Sequence, residues 1–476
     1  MAQLEHHDIQ GFLLSSYGHL PCATYLLLRI SDVASSRQWL ARLTDEVRTA
    51  VAVSKAEREQ EVFSVNLALT HTGLSKLGLD PAALATFSLA FQEGMAAEHR
   101  ARILGDTKDS APQEWHWGNA DNPVDILLLV FARDEDALEA QLRQRRNDIV
   151  AARGIQEVSA LSAGRQEDTK EHFGFADGIG QPVIEGSGRL SRQLDRTGHA
   201  TVLKAGEFIL GYVNDYGVVA DTPSATGMPD FGRNATYLVF RQMAQHVAEF
   251  WRFLDDATRR SDGTSDQAAR ERLAAKFVGR WTSGAPLVKY PSGDPHAGTS
   301  TLNSENDFEF YENDGHGFAC PIGAHIRRAN PRDALGPDSQ TALQSAKRHS
   351  ILRRGRSYGH RLANPFVEDG TERGLHFICL NSDIERQFEL IQQTWINNTT
   401  FSGLQRETDP LIGNHDKTDR LFTVQDDPLR TRVSNLRSFV TVKGGAYFFL
   451  HGLRALRYLG SLKDSIFHYQ TEWRDE

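Results

Sequence analysis

The sequence predicts an α+β protein built from two halves that each mix strands and helices in a similar order. Short apolar runs of strand length alternate with amphipathic stretches of helical period along most of the chain. A stretch rich in glycine, proline and polar residues at 215–233 interrupts this pattern, which then begins again. A length of 476 residues is also sufficient for two domains. We therefore expect one domain at 1–220 and a second at 221–476.

Four strands and three helices are expected first along the chain. Apolar or alternating runs predict the strands, at 25–30, 62–67, 124–132 and 155–163. Amphipathic stretches predict the helices, at 34–52, 81–89 and 135–152. Ser31 or Asp32 is placed to cap the first helix, because short polar side chains bond the free N–H groups of a helix start. A strand at 206–213 is expected to close this half.

The second half mixes strands and helices in a comparable order, although the residues themselves do not repeat. Strands are predicted at 236–240, 375–380, 439–442 and 447–450. Helices are predicted at 246–276, with a polar break near 261–265, and at 383–395 and 453–462. Residues 443–446, Lys-Gly-Gly-Ala, are expected to turn the chain between the last two strands, because glycines supply the backbone angles of a hairpin turn.

The composition is that of a globular protein in a reducing compartment. Hydrophobic residues make up 40% of the chain and charged residues 24%. The formal net charge of -9 argues against a protein that coats nucleic acid, and no apolar run approaches the roughly 20 residues of a membrane span. Cys22, Cys320 and Cys379 are too scattered for a disulfide framework, and the N-terminal stretch lacks the pattern of a signal peptide. We expect a cytoplasmic protein without membrane or nucleic-acid partners.

One stretch, 318–359, combines a candidate metal ligand with a dense group of cations. His325 lies among apolar and small residues in FACPIGAHIRRANPRD, and HSILRRGRSYG follows. A neutral imidazole is the commonest protein ligand of a metal, and guanidinium groups suit carboxylates and propionates. The pattern therefore predicts a cofactor site. Most of the 18 histidines are nonetheless expected to be surface or core residues, and the cationic run is also typical of a solvated helix face or a nucleic-acid patch.

A second stretch, 172–186, places one carboxylate between glycines. It reads HFGFADGIGQPVIEG, so that Gly174 and Gly178 flank Asp177. Such a backbone turns tightly, approaches a planar ligand closely and aims a carboxylate at it. An ordinary aspartate turn is the alternative interpretation of this motif alone. The spacing of the glycines does not match a dinucleotide-binding fingerprint.

Taken together, the two stretches resemble the dye-decolorizing peroxidases, most closely the long bacterial and fungal members. That family has a GxxDG motif with a distal aspartate, a proximal histidine that binds haem iron, and a distal arginine in an ILR motif. Here these match Asp177 in GFADG, His325 in AHIRRANPR and Arg353 in ILRRGRSYG. The resemblance extends over nearly the whole chain, through DIQG, FQEGM, LGD, GEFILGY, TYLVFR and DPLIG.

The resemblance implies two ferredoxin-like halves of the dimeric α/β barrel type, with haem b in the C-terminal half and His325 on the iron. A haem peroxidase needs a group that moves a proton between the two peroxide oxygens and a cation that stabilises the anion formed on cleavage. The family pattern assigns the proton to Asp177 and the charge to Arg353. The implied substrates are hydrogen peroxide and one-electron donors such as dyes or phenolics. The implied assembly is a monomer or homodimer.

The resemblance also implies supporting roles around the haem. Arg332 matches an arginine that holds a propionate, and surface pairing is the alternative for this side chain. Leu375 and Phe377 match apolar residues over the distal haem face, with plain strand core as the alternative. Gly178 belongs to the motif that brings backbone close to the haem.

Two assignments from the resemblance concern residues further along the chain. An acidic partner is expected for the ring N–H of His325, because it makes the imidazole a stronger donor to iron. Asp419 in TDRLF is the predicted partner, with Asp416 as the second choice. Trp395 matches a tryptophan that the family uses to carry electrons from bulky dyes, and a core tryptophan that packs its helix is the alternative.

Two other functions are compatible with the sequence. A haem-handling or deferrochelating protein would keep the haem site without peroxidase turnover. A protein that binds anions or nucleic acid would use the basic run 347–361, would be colourless when purified, and would lose affinity steeply with salt. Peroxidase activity is the function that we expect.

Overall fold

Nine strands form one antiparallel sheet, which closes on itself as a barrel. The computed structural model describes residues 3–197, 199–416 and 418–463. The strands of this part of the chain are β1 Cys22–Ile30, β2 Phe63–Leu69, β3 Ile126–Ala132, β4 Ile155–Gly164, β5 Val183–Ile184, β6 Val202–Leu203, β7 Thr236–Gln245, β8 Leu352–Arg353, β9 Arg356–Tyr358, β10 Gly374–Asn381, β11 Phe422–Val424, β12 Thr431–Val433 and β13 Val440–Leu450. Pairing of β10 with β7 closes the large sheet, and β5–β6 and β11–β12 form two small ribbons.

Helices connect the strands. The α-helices are α1 Gly11–Leu14, α2 Val33–Thr44, α3 Lys55–Gln60, α4 His71–Lys76, α5 Pro81–Leu84, α6 Leu89–Glu93, α7 Glu98–Leu104, α8 Glu135–Ala152, α9 Leu190–Thr197, α10 Val247–Ala257, α11 Gln267–Val278, α12 His325–Ala329, α13 Ser339–Lys347 and α14 Leu453–Ser461. Two π-helical segments lie at Glu385–Glu389 and Ile391–Ile396. Short 3-10 turns lie at Lys108–Ser110, Pro112–Glu114, Ala205–Glu207 and Phe401–Gly403. Asp32 caps α2 as expected, because its side chain accepts the N–H of Ser35.

Each half contributes its strands in the same spatial order. In the first half the order is β4, β1, β3, β2. In the second half β13, β7 and β10 lie side by side, and β8 and β9 pair with opposite ends of β10. We number the strands from one to four within each half and take β8 and β9 together as the second strand of the second half. Both halves then have the spatial order fourth, first, third and second, as in a ferredoxin-like βαββαβ unit. The predicted fold class of two ferredoxin-like halves is therefore confirmed.

Two narrow seams join the halves into the barrel. Phe449 of β13 lies opposite Leu69 of β2, and Ser357 of β9 lies opposite Gly164 of β4. Strands from both halves thus share one hydrogen-bonded sheet. The domain boundary at residue 220 stays a prediction.

The interior of the barrel is filled by side chains. Tyr25, Phe131 and Phe240 are fully buried there, together with aliphatic residues of the same strands. Successive side chains of a strand point to opposite faces, so Leu375 and Phe377 face outward on β10. A ligand site on this sheet must therefore lie on its outer face.

The predicted turn at 443–446 is wrong, because β13 runs through it as one strand. The register of β13 on β7 shifts between Val442 and Gly444, which marks a bulge. A Cβ on Gly444 would lie only 2.4 Å from Nε1 of Trp117. Glycine is therefore needed here for the close approach of Trp117, and not for the backbone angles of a turn.

The predicted strand at 206–213 is also wrong. The chain forms the 3-10 turn at Ala205–Glu207 and then a loop, in which Phe208 and Ile209 are fully buried. A Cβ on Gly206 would lie 2.2 Å from the carbonyl oxygen of Tyr212, so the backbone folds back closely on itself. The apolar run is explained by burial of this loop.

Two arginines of the basic run 347–361 bind the N-terminal segment. Arg354 donates to the carbonyl oxygens of Phe12 at 3.1 Å and Leu13 at 2.8 Å. Arg356, which is buried, donates to three more carbonyl oxygens of that segment, those of Ser16, Tyr17 and Pro21. A nucleic-acid surface would need these cations exposed, so their use as internal donors argues against that alternative.

Candidate active site

A cavity of about 450 Å³ lies on the outer face of β7 and β10. Much of its wall comes from the second half, and segments 104–110 and 171–182 contribute from the first half. It brings together all but one of the predicted site residues, namely Asp177, Gly178, His325, Arg332, Arg353, Leu375 and Phe377. The exception, Asp419, is absent from the wall of this cavity.

His325 begins α12 and is held by a buried carboxylate. Its Nδ1 lies 2.9 Å from Oδ2 of Asp409, whose side chain is fully buried. Oδ1 of Asp409 accepts the N–H groups of Leu411 and Ile412 at 2.9 Å each. An ionised carboxylate can only accept, so Nδ1 of His325 carries a proton, and in the neutral ring the opposite nitrogen, Nε2, has a free lone pair.

The electrostatics of this pair favour its hydrogen bond. Burial lowers the pKa of His325, but the charge and hydrogen bond of Asp409, with the charge of Asp177, together outweigh it and the net pKa is raised. Burial raises the pKa of Asp409, but His325, the N–H of Ile412 and the charge of Arg328 together outweigh it and the net pKa is lowered. The carboxylate therefore stays ionised and fixes the orientation of the imidazole.

The prediction that Asp419 is the partner of His325 is wrong, because the structure places Asp409 in this position. Asp419 is half-exposed, and its Oδ1 accepts from Nε of Arg406 at 2.6 Å. The second choice, Asp416, accepts from the hydroxyl of Thr107 and pairs with Lys108. The signal for Asp409 was present in the DPLIG motif, which Asp409 begins, but the motif by itself does not indicate contact with His325.

Asp177 and Arg353 form an ion pair that faces the cavity. Nη1 of Arg353 donates to Oδ1 of Asp177 at 2.9 Å, and the N–H of Gly178 donates to the same oxygen at 2.6 Å. Among the described residues no hydrogen bond reaches Oδ2 of Asp177. Burial raises the pKa of Asp177, but Arg353, the N–H of Gly178 and the charge of His325 together outweigh it and the net pKa is lowered. The site thus contains an ionised carboxylate with one oxygen available to a ligand.

Arg332 lies at the cavity wall beside a second buried arginine, Arg280, which the sequence did not single out. Both donate to Oδ1 of Asn306, at 2.6 and 2.8 Å. Neither forms an ion pair with a carboxylate within the described ranges. Burial lowers the pKa of Arg332 to about 10 and that of Arg280 to about 9. Glu309, which also lines the cavity, acts on Arg332 from a distance, but two buried guanidinium groups without a direct carboxylate partner still suit an anion at this wall.

Apolar side chains form another wall. Leu375 and Phe377 on β10 and Met243 on β7 line the cavity, beside Arg241, whose charge is paired with Asp106. Trp395, on the second π-helical segment, also lines it and is 7% exposed. Its ring makes an edge contact with the ring of His349, with 5.5 Å between centroids.

These residues fit a haem group. In the part of the chain that the structure describes, no cluster of three or more His, Cys, Asp or Glu side chains could hold a metal ion. A metal bound by His325 alone must therefore receive its other ligands from a cofactor, as in a porphyrin. The apolar wall suits the faces of the macrocycle, and Arg332 with Arg280 suits its carboxylates.

Comparisons with known proteins agree with this fold and cavity. A family model for the DyP dimeric alpha+beta barrel domain matches residues 8–165. The dye-decolorizing peroxidase of Mycena epipterygia is 30% identical over 469 residues, which cover 91% of this chain and 83% of that protein. A solved structure of an ancestral D-type dye decolorizing peroxidase has a TM-score of 0.79 at 27% identity, and the match covers 97% of this chain and 100% of the other. A deferrochelatase of Yersinia pestis bv. Antiqua is 33% identical over 276 residues, or 56% of this chain and 48% of that protein.

An antiparallel barrel of two ferredoxin-like halves, with a carboxylate-bound histidine facing a cavity outside the sheet, together with these comparisons, defines a peroxidase of the α+β barrel class. The chain belongs to the dye-decolorizing peroxidase family, because the similarity in sequence and fold extends over most of its length. It is a haem-binding enzyme that acts on a peroxide and an electron donor, and the resemblance noted in the sequence is confirmed.

No helix within the described ranges is long and apolar enough to cross a membrane.

Proposed function

We propose that the protein is a haem b peroxidase that uses hydrogen peroxide to oxidise dyes, phenolics or other one-electron donors. The observation that carries this proposal is the convergence on one cavity of His325, with its Nδ1 bound by Asp409, and the ion pair between Asp177 and Arg353. The haem would lie mainly against the C-terminal half, which contributes most of the cavity wall. The oligomeric state, monomer or homodimer, and the cytoplasmic location stay predictions.

Five residues would hold the cofactor. Nε2 of His325 would bind the iron, and Arg332 would hold a propionate. Leu375, Phe377 and the backbone of Gly178 would lie against the macrocycle. Haem supplies the iron at which the oxygen–oxygen bond of the peroxide is broken and to which the donors give up electrons.

Asp177 and Arg353 would divide the remaining chemistry between them. Oδ1 of Asp177 is bound by Arg353 and Gly178, so Oδ2 is the atom that accepts a proton from one peroxide oxygen and returns it to the departing one. The guanidinium of Arg353 stabilises the negative charge that develops on the departing oxygen. The ion pair also keeps Asp177 unprotonated, as a base must be before it can act.

The absorption spectrum of the purified protein tests the cofactor. A Soret band is expected, and His325→Ala should lose the band or retain much less haem. A colourless wild-type protein would contradict the proposal. Phe318→Ala, an exposed residue of the same stretch, is the matched control and should keep the band.

Peroxide kinetics test the two distal residues. Asp177→Asn and Arg353→Leu are measured side by side, and each should slow the reaction with hydrogen peroxide. For the residue that carries most of the proton transfer, the loss should be about 100- to 10,000-fold. Wild-type rates in Asp177→Asn would remove the proton assignment, and wild-type rates in Arg353→Leu would remove the charge assignment.

The partial similarity to deferrochelatases supports a second candidate, a haem-handling protein without peroxidase turnover. This similarity covers little more than half of the chain, whereas that to dye-decolorizing peroxidases covers nearly all of it. Release of iron with an intact porphyrin and no peroxide-dependent oxidation of a donor would favour the second candidate.

A further inference from the structure

The loop that carries Asp177 is folded around the carboxylate of Glu171, which has no part in the reaction proposed above. Oε2 of Glu171 accepts the N–H of Phe173, and Oε1 accepts the N–H of Phe175, each at 2.8 Å. The main chain closes the same turn, because the N–H of Gly174 donates to the carbonyl of Glu171 at 2.9 Å. One side chain therefore shapes the backbone immediately before Ala176 and Asp177.

The same carboxylate ties this loop to the barrel. Nε2 of Gln245, the last residue of β7, donates to Oε2 of Glu171 at 2.7 Å. Gln245 lies opposite Val440 in the pairing of β7 with β13, so it is fixed within the sheet beneath the cavity. Phe173 adds an apolar contact, with 4.6 Å between the centroids of its ring and that of Phe250. Glu171 is thus one of the contacts that set the position of this loop, beside those of His172 with the carbonyl of Tyr358 and of Ala176 with the carbonyl of Thr282.

The contacts of Glu171 favour its ionised form. Three N–H donors reach the carboxylate, and no hydrogen-bond acceptor for a carboxylic proton is found among the described residues. Burial raises the pKa of Glu171, these donors lower it, the charge of Asp177 raises it, and the net pKa is raised. The two carboxylates are therefore close enough to interact.

The backbone around Asp177 needs such a support. Gly174 has φ 97° and Gly178 has φ 77°, so both flanking residues lie in the left-handed region, where glycine is free to adopt many conformations. The N–H of Asp177 itself donates only to the carbonyl of Thr169, at 3.2 Å. A flexible segment that must place one carboxylate accurately requires an external anchor.

We propose that Glu171 is a positioning residue for the peroxidase reaction. By holding turn 171–175 against the end of β7, it keeps Oδ2 of Asp177 directed into the cavity beside Arg353. The inference rests on the proposed role of Asp177 and extends it to a residue that does not contact peroxide.

A double-mutant cycle tests this inference on the haem-loaded enzyme. The variants are Glu171→Gln, Asp177→Asn and the combination, and the readout is the second-order rate constant for reaction with hydrogen peroxide in a stopped-flow spectrometer. Glutamine keeps the shape of the side chain but places an NH₂ donor where an oxygen now accepts. Glu171→Gln should slow the reaction about 10- to 100-fold. In the Asp177→Asn background it should change the rate by no more than about twofold, because the two residues act as one unit.

Further readouts separate positioning from a general loss of structure. The Soret band and the KM for a small phenol should be unchanged in Glu171→Gln. Glu167→Gln changes an exposed carboxylate in the same loop and should behave as wild type in every measurement. If Glu171→Gln does not fold with haem, Glu171→Asp replaces it in the cycle, because the shorter side chain keeps the charge but does not span both N–H groups, and the same pattern is expected.

The outcomes distinguish this inference from the proposed function. A normal rate for Asp177→Asn alone would overturn the role of Asp177 and the inference that rests on it. A large loss in Asp177→Asn, with a Glu171→Gln effect of equal size in both backgrounds or with no effect at all, would overturn the inference alone.

Discussion

The contact between His325 and Asp409 shows how one buried carboxylate sets the chemistry of a neighbouring imidazole. Asp409 is itself satisfied by two backbone N–H groups, so its orientation is fixed before it meets the ring. The proton held on Nδ1 leaves Nε2 as the electron donor. The strength of that donor depends on the charge of Asp409, which makes this aspartate part of the proposed iron site.

Asp409→Asn tests this dependence. The neutral amide removes the charge that polarises the ring of His325, so we expect haem affinity or peroxidase activity to fall about 10- to 100-fold. Haem titration and steady-state kinetics measure the two effects. Asp419→Asn is the matched control, because Asp419 pairs with Arg406 at the surface, and it should match wild type. A larger effect at residue 419 than at 409 would contradict the assignment.

The pH dependence of the peroxide reaction reports on Asp177. Arg353 lowers the pKa of Asp177, so the carboxylate remains a base below the usual range for aspartate, and activity is lost only as pH falls through the lowered pKa. In Arg353→Leu the main opposition to burial is removed and only weaker effects such as the N–H of Gly178 remain, so the acid limb of kcat/KM for hydrogen peroxide should move to higher pH. Arg146→Leu, which breaks a surface pair with Glu157, should leave the limb in place. An unmoved limb in Arg353→Leu would refute this account.

Local motifs predicted only part of the cavity. Asp177, His325 and Arg353 each lie in a short pattern whose residue types indicate their chemistry, and the structure brings all three to one cavity. Asp409 and Arg280 were missed because their roles arise from contacts between distant segments. Which distant segments come into contact cannot be predicted from the sequence unless the folded path of the chain is known.

At the scale of elements, Gly444 on β13 is needed because Trp117 packs closely against its backbone. Gly444→Ala would place a Cβ 2.4 Å from Nε1 of Trp117, so we expect a loss of about 1–3 kcal/mol in the free energy of unfolding. Chemical denaturation of the haem-loaded protein measures it. Gly164→Ala, at the end of β4, is the control, because a Cβ there meets no atom within 4 Å. Equal effects of the two substitutions would argue against the packing explanation.

The π-helical segment Ile391–Ile396 places Trp395 at the cavity wall. A bulky dye does not reach a buried haem, so its oxidation would need an electron path through an aromatic side chain. In Trp395→Phe we expect oxidation of bulky dyes to be lost while that of small phenols is retained, as measured by steady-state kinetics with both donors. Trp251→Phe, in a separate apolar cluster, should change neither. Unchanged dye kinetics in Trp395→Phe would remove the path.

The hydrophobic periodicity and the composition of the sequence predicted most strands and helices but not their geometry. The strands of the first half were expected within a few residues of β1 to β4, because apolar runs bounded by polar segments are a local signal. The helix expected at 383–395 forms as π-helical segments, since its widened hydrogen bonding depends on tertiary packing. The strand expected at 206–213 is a buried loop, because an apolar run indicates burial more reliably than it indicates extended backbone.

At the scale of the whole molecule, Arg354 and Arg356 fasten the N-terminal segment to the second half. Arg356 is buried and donates to three carbonyl groups of the N-terminal segment. Arg356→Leu leaves those groups unsatisfied, so we expect a loss of about 1.5–3 kcal/mol in the free energy of unfolding, measured by denaturation. Arg361→Leu breaks an exposed pair with Asp168 and should cost at most about 1 kcal/mol. An equal loss in both variants would show that Arg356 contributes no more than a surface charge.

The closure of the sheet was beyond the reach of sequence patterns. The order of strands and helices indicated two similar α+β units, and the family resemblance supplied the barrel type. Nothing in a single strand specifies its partner in the other half, and each seam rests on one pair of opposed residues. The closed sheet nonetheless brings the loop of Asp177 and the helix of His325 to the same cavity.

Closure of the sheet into a barrel has a consequence for any fragment of this protein. A first half produced alone would present the open edges of β2 and β4, and a second half would present those of β13 and β9. Open strand edges are templates for pairing with other chains and promote aggregation. In the intact barrel these edges face each other across the two seams, so closure limits their access to other chains as well as assembling the site.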